Sequence, residues 1–366
     1  MNILLIRQSL HSGGAERVVV ELANRMVEEG HSVDVYLTEN IIKYKLDSRV
    51  QVVHSSISEF IRKLEKKLLP IFGNLTFLIT SIFHVYFLKK DISINNYDKT
   101  YIHSLSSLLR FQYLFGKNIY AVYHCSKSDL LLKNRNFFQK IKNKLSLKMT
   151  SIFKNKIAVS KGVGKDLKEH FYISVDRVIY NPFDFDFICN ESYDFLESDF
   201  VNYGSYILNV GRLQEQKNQK DLILAFSKLT HKFDSLILLG TGPDEKMLKK
   251  LVKDLNIDSQ VFFMGHSSNP YKYMRNASLF VLSSNYEGFG NVIVESLACQ
   301  CPVISSNCNY GPDEILLGSL SQWLYKCNDI EDLVNKCLTI DNNYNFLDAK
   351  LERFSYSKSV NDYING

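Results

Sequence analysis

The sequence lacks any Cys-x-x-Cys pair and any Cys–His spacing suited to a metal, although it contains seven cysteines. Cys299 and Cys301 are too close in the chain to bridge easily. Nothing resembles a disulfide framework, and a reducing cytoplasm is the expected compartment. The chain also lacks a strong charge excess. A formal net charge of +5 on 366 residues gives no global argument for nucleic acid as a partner. The opening residues MNILLIRQS have too short an apolar run, and no leading positive region, to be a signal peptide. They read instead as a strand. What is present is ordinary for a globular protein, with 45% apolar and 23% charged residues.

The length suits two domains better than one. Asn2 to Ile6 reads as a buried strand, followed by Ser12-Gly13-Gly14-Ala15-Glu16 and a helix from Arg17 to Glu29. Val18, Val19, Leu22, Ala23 and Met26 recur at helical spacing, and Gly30 stops the helix. Ser32 to Thr38 is the next strand. This opening is Rossmann-like, with ligands expected at the C-terminal strand ends. Lys99 to His103 and Asn118 to His124 read as further strands. His124, and in second rank His103, therefore stand where such a fold places its chemistry, although a lone histidine after a strand is more often structural. Asn181-Pro182 marks a hinge, and 183–203 is expected to be irregular and acidic. A second α/β alternation starts at Tyr206. The expected domains are 1–182 and 183–353.

Two segments bear on membranes. Leu68 to Leu88 is apolar between Lys66-Lys67 and Lys89-Lys90, and its length approaches that of a span. Pro70, Gly73, Asn74, Thr76, Thr80, Ser81 and His84 would be poorly placed in lipid, so an interfacial or core-packed helix pair is the preferred reading. Residues 133–156 carry eight cations and no acid, with Phe137, Phe138, Ile141, Leu145, Met149, Ile152 and Phe153 interleaved at roughly helical spacing. A solvated amphipathic helix would satisfy that pattern, but one missing sign of charge favours an anionic membrane surface. No nucleic-acid motif accompanies the patch.

The stretch from Leu279 to Glu295 concentrates the chemistry: a short apolar strand, a polar turn holding Gly288 and Gly290, and the start of a helix near Asn291. Glycines let backbone approach a ligand, and a helix N-terminus presents unpaired N–H groups that suit phosphate. Glu295 is either the solvated position of an apolar helical run or a carboxylate aimed at ligand hydroxyls. Glu287, eight positions earlier, tilts the balance to the ligand. Arg212 and Lys217 follow the strand Tyr206 to Val210 and could neutralise a departing diphosphate, as a divalent metal does elsewhere. Asp184-Phe185-Asp186 superficially matches the D-x-D metal pattern, a low-information signal, and no metal site is expected there.

These residues resemble the signatures of the family 4 retaining glycosyltransferases. The string from Glu287 to Glu295 is similar to their E-G-F-G-x-x-x-x-E, Gly211 to Asn218 to their G-R-L-x-x-x-K-N, and Gly240 to Pro243 to their G-x-G-P. Gly13-Gly14-Ala15-Glu16 resembles their N-terminal loop. One departure is Gln300, where the family usually has a helix-capping glycine.

The resemblance implies the α/β GT-B fold, two Rossmann-like domains facing across a cleft. An acceptor-binding domain would span 1–182 and a nucleotide-sugar domain 183–353, with a C-terminal helix at 354–366 returning to the first. It implies Glu287 on the donor sugar, Glu295 on the ribose and His124 near the anomeric centre. Gly13, Gly14, Gly288, Phe289, Gly290 and Asn291 join Arg212 and Lys217 as donor-binding residues. The expected activity is metal-independent, cofactor-free retaining hexosyl transfer from a nucleoside-diphosphate sugar, UDP favoured, to a lipid-linked or saccharide acceptor for bacterial surface polysaccharide such as O-antigen or capsule. The expected location is the inner face of the cell membrane, held through 133–156 and secondarily 61–90. A nucleotide-sugar epimerase or hydrolase, or a non-catalytic membrane scaffold, is the alternative. Glu287→Ala or Lys217→Ala is expected to abolish transfer without disturbing folding.

Overall fold

The computed structural model describes residues 1–11, 13–133, 135–194, 203–340 and 344–366. Ser12 of the glycine loop and the 195–202 portion of the acidic connection lie outside the described residues. The chain divides into two compact units: Met1–Pro182 with Tyr356–Gly366, and Phe183–Ser355.

The N-terminal unit is built on seven parallel strands: β1 (Asn2–Arg7), β2 (Ser32–Leu37), β3 (Gln51–His54), β4 (Lys99–His103), β5 (Ile119–Tyr123), β6 (Asn155–Ala158) and β7 (Arg177–Val178). Their order is β3-β2-β1-β4-β5-β6-β7. Helices α1 (Gly14–Glu28), α2 (Glu59–Phe72), α3 (Leu75–Asp91), α4 (Leu105–Arg110), α5 (Lys127–Leu132), α6 (Phe137–Met149) and α7 (Lys161–Phe171) connect them. The central strands read as near-continuous apolar runs, as a parallel sheet covered on both faces requires. Helix α1 starts at Gly14, so Gly14, Ala15 and Glu16 form its first turn rather than a loop.

The second unit begins with α8 (Phe185–Ser192), where the sequence had suggested irregular chain. Asp184 caps that helix, its carboxylate accepting from the Phe187 N–H at 2.9 Å, which gives the D-x-D pattern a structural role. The sheet consists of β8 (Tyr206–Val210), β9 (Ser235–Leu239), β10 (Val261–Gly265), β11 (Leu279–Leu282), β12 (Val303–Ser306) and β13 (Leu324–Tyr325). Its parallel order is β10-β9-β8-β11-β12-β13, repeating the winding of the first sheet. The helices are α9 (Gln219–Phe226), α10 (Glu245–Asp254), α11 (Tyr271–Asn276), α12 (Asn291–Ala298), α13 (Pro312–Ile315) and α14 (Ile330–Thr339).

The last helix, α15 (Tyr356–Asn365), belongs to the first unit and begins two residues later than the sequence suggests. Lys99 Nζ donates to the Tyr363 carbonyl at 3.1 Å, Tyr101 packs edge-on to Tyr363, and Ser359 Oγ donates to the Tyr180 carbonyl at 2.9 Å.

Among the described residues, no helix is long and apolar enough to cross a membrane. The stretch Leu68 to Leu88 folds as the end of α2, a turn at Gly73, and α3. Helix α3 buries polar residues beside the apolar Phe77, Val85 and Leu88. Its polar residues Thr76, Thr80, Ser81 and His84 are buried, whereas Ile79, Ile82, Phe83 and Tyr86 are exposed. Of the residues that argued against a lipid span, Thr76, Thr80, Ser81 and His84 face the protein, whereas Pro70 is exposed and Gly73 and Asn74 are half-buried. Helix α6 follows suit: Phe137, Phe138, Ile141 and Leu145 are exposed and only Ser146 and Leu147 are buried.

Gln300 ends α12 with φ +59°, the left-handed conformation that glycine adopts without cost. Its amide donates to the Leu297 carbonyl at 3.0 Å, and its side chain accepts from Arg275 at 3.1 Å. The helix end therefore keeps the geometry of a glycine cap. Because a β-branched side chain is poorly accommodated at positive φ, Gln300→Val is expected to destabilise the second unit by about 1–2 kcal/mol. Denaturant unfolding measures this; an unchanged midpoint would show that the left-handed position is not required.

Candidate active site

Each sheet winds outward in both directions from one point, between β1 and β4 in the first unit and between β8 and β11 in the second. At such a switch point the loops leaving the C-terminal strand ends diverge and leave room for a ligand.

In the second unit these loops carry the residues singled out from sequence. The loop from β8 to α9 holds Arg212 and Lys217, and the turn from β11 to α12 holds Glu287 to Asn291. The two are laced together. The Asn285 N–H donates to the Gln216 carbonyl at 2.7 Å, and Asn285 Nδ2 donates to the Glu215 carbonyl at 2.7 Å. Gln216 Nε2 donates to the Tyr286 carbonyl at 3.0 Å, and Ser283 Oγ to the Lys217 carbonyl at 2.8 Å. The glycines of the G-x-G-P string serve the same loop. A Cβ at Gly240 would stand 1.9 Å from the Gly211 carbonyl oxygen, and one at Gly242 would stand 2.1 Å from that of Leu213.

On this support Lys217 Nζ pairs with Glu287 Oε1 at 2.5 Å, and Ser284 Oγ donates to the same oxygen at 2.6 Å. Glu287 is 7% exposed. Single replacement of either partner would leave the other charge largely buried and uncompensated, so the expectation of undisturbed folding does not hold for these variants. Ser284, itself held at its carbonyl by Ser306 Oγ at 2.6 Å, was missed by sequence reasoning. A serine after a strand carries no signal of its own.

Gly290 occupies the position before α12 with φ +96°, and Asn291 opens the helix. Amide groups at this end point to the turn. Glu295 is buried one turn on, which excludes the solvated reading. Arg212 shares the loop with Lys217 and is exposed. Phe289 differs from expectation: its ring is 2% exposed and packs near Phe183 and edge-on to Phe354. Its side chain anchors the turn, and its backbone lies so close to Gly311 that a Cβ there would stand 2.1 Å from the Phe289 carbonyl oxygen.

The first unit carries a second cluster. His124 follows β5 and its Nε2 lies 2.8 Å from Nδ1 of His103 at the end of β4. Burial, and behind it the Arg7 charge, push His103 down to about 3. Burial, with His103, Arg7 and Lys127 adding to it, also holds His124 well below the ordinary histidine range. Both imidazoles are neutral, so the hydrogen bond joins one ring N–H to one bare nitrogen. Arg7, at the end of β1, pairs with Glu16 of the glycine-string helix at 2.6 Å. Gly13 caps α1, its N–H donating to the Tyr44 hydroxyl at 3.0 Å, and Gly14 is the first helical residue. Arg7 was not anticipated, because an arginine in an apolar strand gives no pattern.

This winding, with loops of both sheets built around charged and neutral polar groups, is that of a two-domain GT-B glycosyltransferase. Residues 12–187 match the family description Glycosyltransferase Family 4 and residues 197–357 match Glycosyl transferases group 1. The chain belongs to the family 4 glycosyltransferases and is related to transferases of bacterial surface polysaccharide and lipopolysaccharide. It is 29% identical over 315 residues to the N-acetylgalactosamine-N,N'-diacetylbacillosaminyl-diphospho-undecaprenol 4-alpha-N-acetylgalactosaminyltransferase of Campylobacter jejuni, covering 84% of this chain and 81% of that one. The lipopolysaccharide 1,6-galactosyltransferase of Salmonella typhimurium is 26% identical over 223 residues, covering 57% and 60%. The crystal structure of Anabaena HepE with UDP and glucose superposes with a TM-score of 0.73 at 18% identity, covering 100% of this chain and 98% of that one.

The histidine pair has a pH consequence. Unfolded histidine titrates near 6.5, whereas these two stay neutral far below it. The contribution of each to stability is complete above about pH 6.5 and is lost as pH falls below it, for His103 down towards about 3. His103→Asn should lower the thermal midpoint at pH 7.5 yet flatten its decline between pH 6.5 and 4.5. An identical decline in both proteins would remove the pair from this account.

Proposed function

We propose that the protein transfers a sugar from a UDP-sugar to a lipid-linked saccharide, with retention of anomeric configuration and without a divalent metal. The observation that carries this reading is the laced pair of loops in the second unit, where Lys217, Glu287 and the amides opening α12 share one switch point. A departing diphosphate needs charge neutralised, and Arg212 and Lys217 with the Gly288 to Asn291 backbone supply it. Glu295 holds the ribose hydroxyls and Glu287 those of the sugar. The Glu287 carboxylate is engaged by Lys217 and Ser284, which suits orientation of a hydroxyl better than nucleophilic attack. His124 lines the reaction centre as a neutral imidazole.

The relatives support donor and acceptor class. The Campylobacter enzyme is named for a diphospho-undecaprenol acceptor, and the Anabaena structure contains UDP and glucose. The exposed Ile79, Ile82, Phe83 and Tyr86 of α3 and the outward aromatic residues of α6 support attachment to an anionic membrane at its cytoplasmic face. Lys89, Lys90, Lys140, Lys142, Lys144 and Lys148 accompany the exposed Ile82, Phe83, Tyr86, Phe137 and Phe138. Each such cation near an anionic surface contributes about 1 kcal/mol.

Thermal-shift titration with UDP- and GDP-sugars tests the donor. A bound nucleotide sugar at 100 times its Kd should add about 2.7 kcal/mol, and EDTA should leave both binding and transfer unchanged. Lys217→Met paired with Glu287→Gln removes both charges together and should eliminate transfer while the fold persists. Full turnover by that double variant, or loss of activity with the chelator, would overturn the mechanism.

A further inference from the structure

Strands β12 and β13 run in parallel, with Ser305 opposite Leu324 and Ser306 opposite Tyr325. The ladder continues past the strands themselves, because the Asn307 N–H donates to the Tyr325 carbonyl at 2.7 Å. Two further residues in the same register set Cys308 opposite Cys327. Neighbouring strands lie about 4.8 Å apart, and a disulfide requires Cα atoms about 4.4–6.8 Å apart. Opposite residues of a ladder also project from one face of the sheet.

The side chains agree with that register. Ser306 Oγ donates to the Ser284 carbonyl at 2.6 Å, and Cys327 Sγ lies 3.8 Å from the same oxygen. Burial, and behind it the Glu287 carboxylate, push the Cys308 thiol up, against the Ser306 hydroxyl and with Cys327 adding to the rise. Both sulfurs thus gather around Ser306, at the strand ends that carry the candidate site. Both are thiols; Cys308 is 5% exposed and Cys327 is half-buried. Cys299 and Cys301 stand at the opposite end of β12, and Cys337 lies on α14, so no other cysteine of this sheet shares the position.

One residue beyond each cysteine stands a support of the Lys217–Glu287 pair. Asn309 follows Cys308, and its carbonyl accepts the Glu287 N–H at 2.8 Å. Asn328 follows Cys327, and its Oδ1 accepts from Asn218 Nδ2 at 3.2 Å. Asn218 in turn is the residue after Lys217. A bond between the two sulfurs would draw the strand ends together and displace Asn309 and Asn328, with the Glu287 backbone and Asn218 attached to them.

We propose that Cys308 and Cys327 form a reversible disulfide that pulls the Lys217–Glu287 pair out of its working geometry, so that oxidation switches transfer off. The loss of transfer rests on the functional reading above, whereas formation of the bond does not. The oxidant is a low-molecular-weight disulfide. The Cys327 sulfur, which solvent reaches, attacks it and forms a mixed disulfide, and the first small thiol leaves with the Cys327 proton. Cys308 Sγ then attacks Cys327 Sγ, and the second small thiol leaves with the Cys308 proton. Two protein thiols are oxidised to one disulfide while the small disulfide is reduced to two thiols. Cys308 reacts second because it is buried and held protonated.

The test uses the full-length protein, treated with bis(hydroxyethyl) disulfide or with dithiothreitol. Peptide mass mapping should find Cys308 joined to Cys327 in the oxidised wild type, and not in Cys327→Ser or Cys308→Ala. Sugar transfer should fall about ten-fold or more on oxidation, as a displacement of about 1 Å can cause, and should return with dithiothreitol. Cys327→Ser, changed at a half-buried position, should transfer like the reduced wild type and keep that activity under the same oxidant. Absence of the link, full transfer by the linked protein, or equal inhibition of wild type and Cys327→Ser would each overturn the switch. A reduced protein that transfers no sugar would instead strike the functional reading, because mass mapping reports the bond without turnover.

Discussion

Where a parallel sheet reverses its winding, two crossover helices depart in opposite directions and the strand ends between them stay uncovered. This constraint organises both halves of the protein, because each sheet has the same order of strands around its first and fourth members. In the second unit it brings the loop after β8 against the turn after β11, and in the first it brings Arg7, His103 and His124 to one end of the sheet. None of these residues is adjacent in sequence to its partner. The strand order alone makes them neighbours.

The ion pair between Lys217 and Glu287 is the chemical expression of that order. Held at 2.5 Å with Glu287 nearly buried, it fixes the carboxylate before any ligand arrives. The glycines at 240 and 242 contribute from outside the pair, since no side chain fits where they meet the Gly211 to Leu213 backbone. Orientation of the charged groups therefore depends on close backbone contact elsewhere in the same unit.

The first unit is organised differently. Helix α3 turns its threonines and histidine inwards alongside Phe77, Val85 and Leu88, and leaves Ile79, Ile82, Phe83 and Tyr86 outwards, so both of its sides carry apolar residues. The inward polar face closes around Glu65 and Arg110, and the outward face continues in character on α6. One helix thus borders both a buried polar cluster and an apolar, lysine-bordered surface.

Much of this was legible in the chain itself. Strand–glycine–helix punctuation showed the α/β alternation, because that signal is local, whereas Arg212, Lys217, Glu287 and Glu295 stood out chiefly through resemblance of their strings to those of a known family. Gln300 looked like a departure, yet the backbone takes the left-handed turn there anyway. Strand β3, with only four residues and half-exposed valines, and α4 were not seen, since neither has a periodicity that rises above its surroundings.

What sequence determined was the kind of element and the identity of the charged residues, because hydrophobic period and glycine placement depend on near neighbours. What tertiary structure decided was burial and partnership: that Glu295 is inside, that the Phe289 ring is an anchor, and that α3 faces the protein with its polar side. It also decided that Glu287 answers to Lys217. Such pairings join residues tens of positions apart, and only the packing of the sheets sets which side chain meets which.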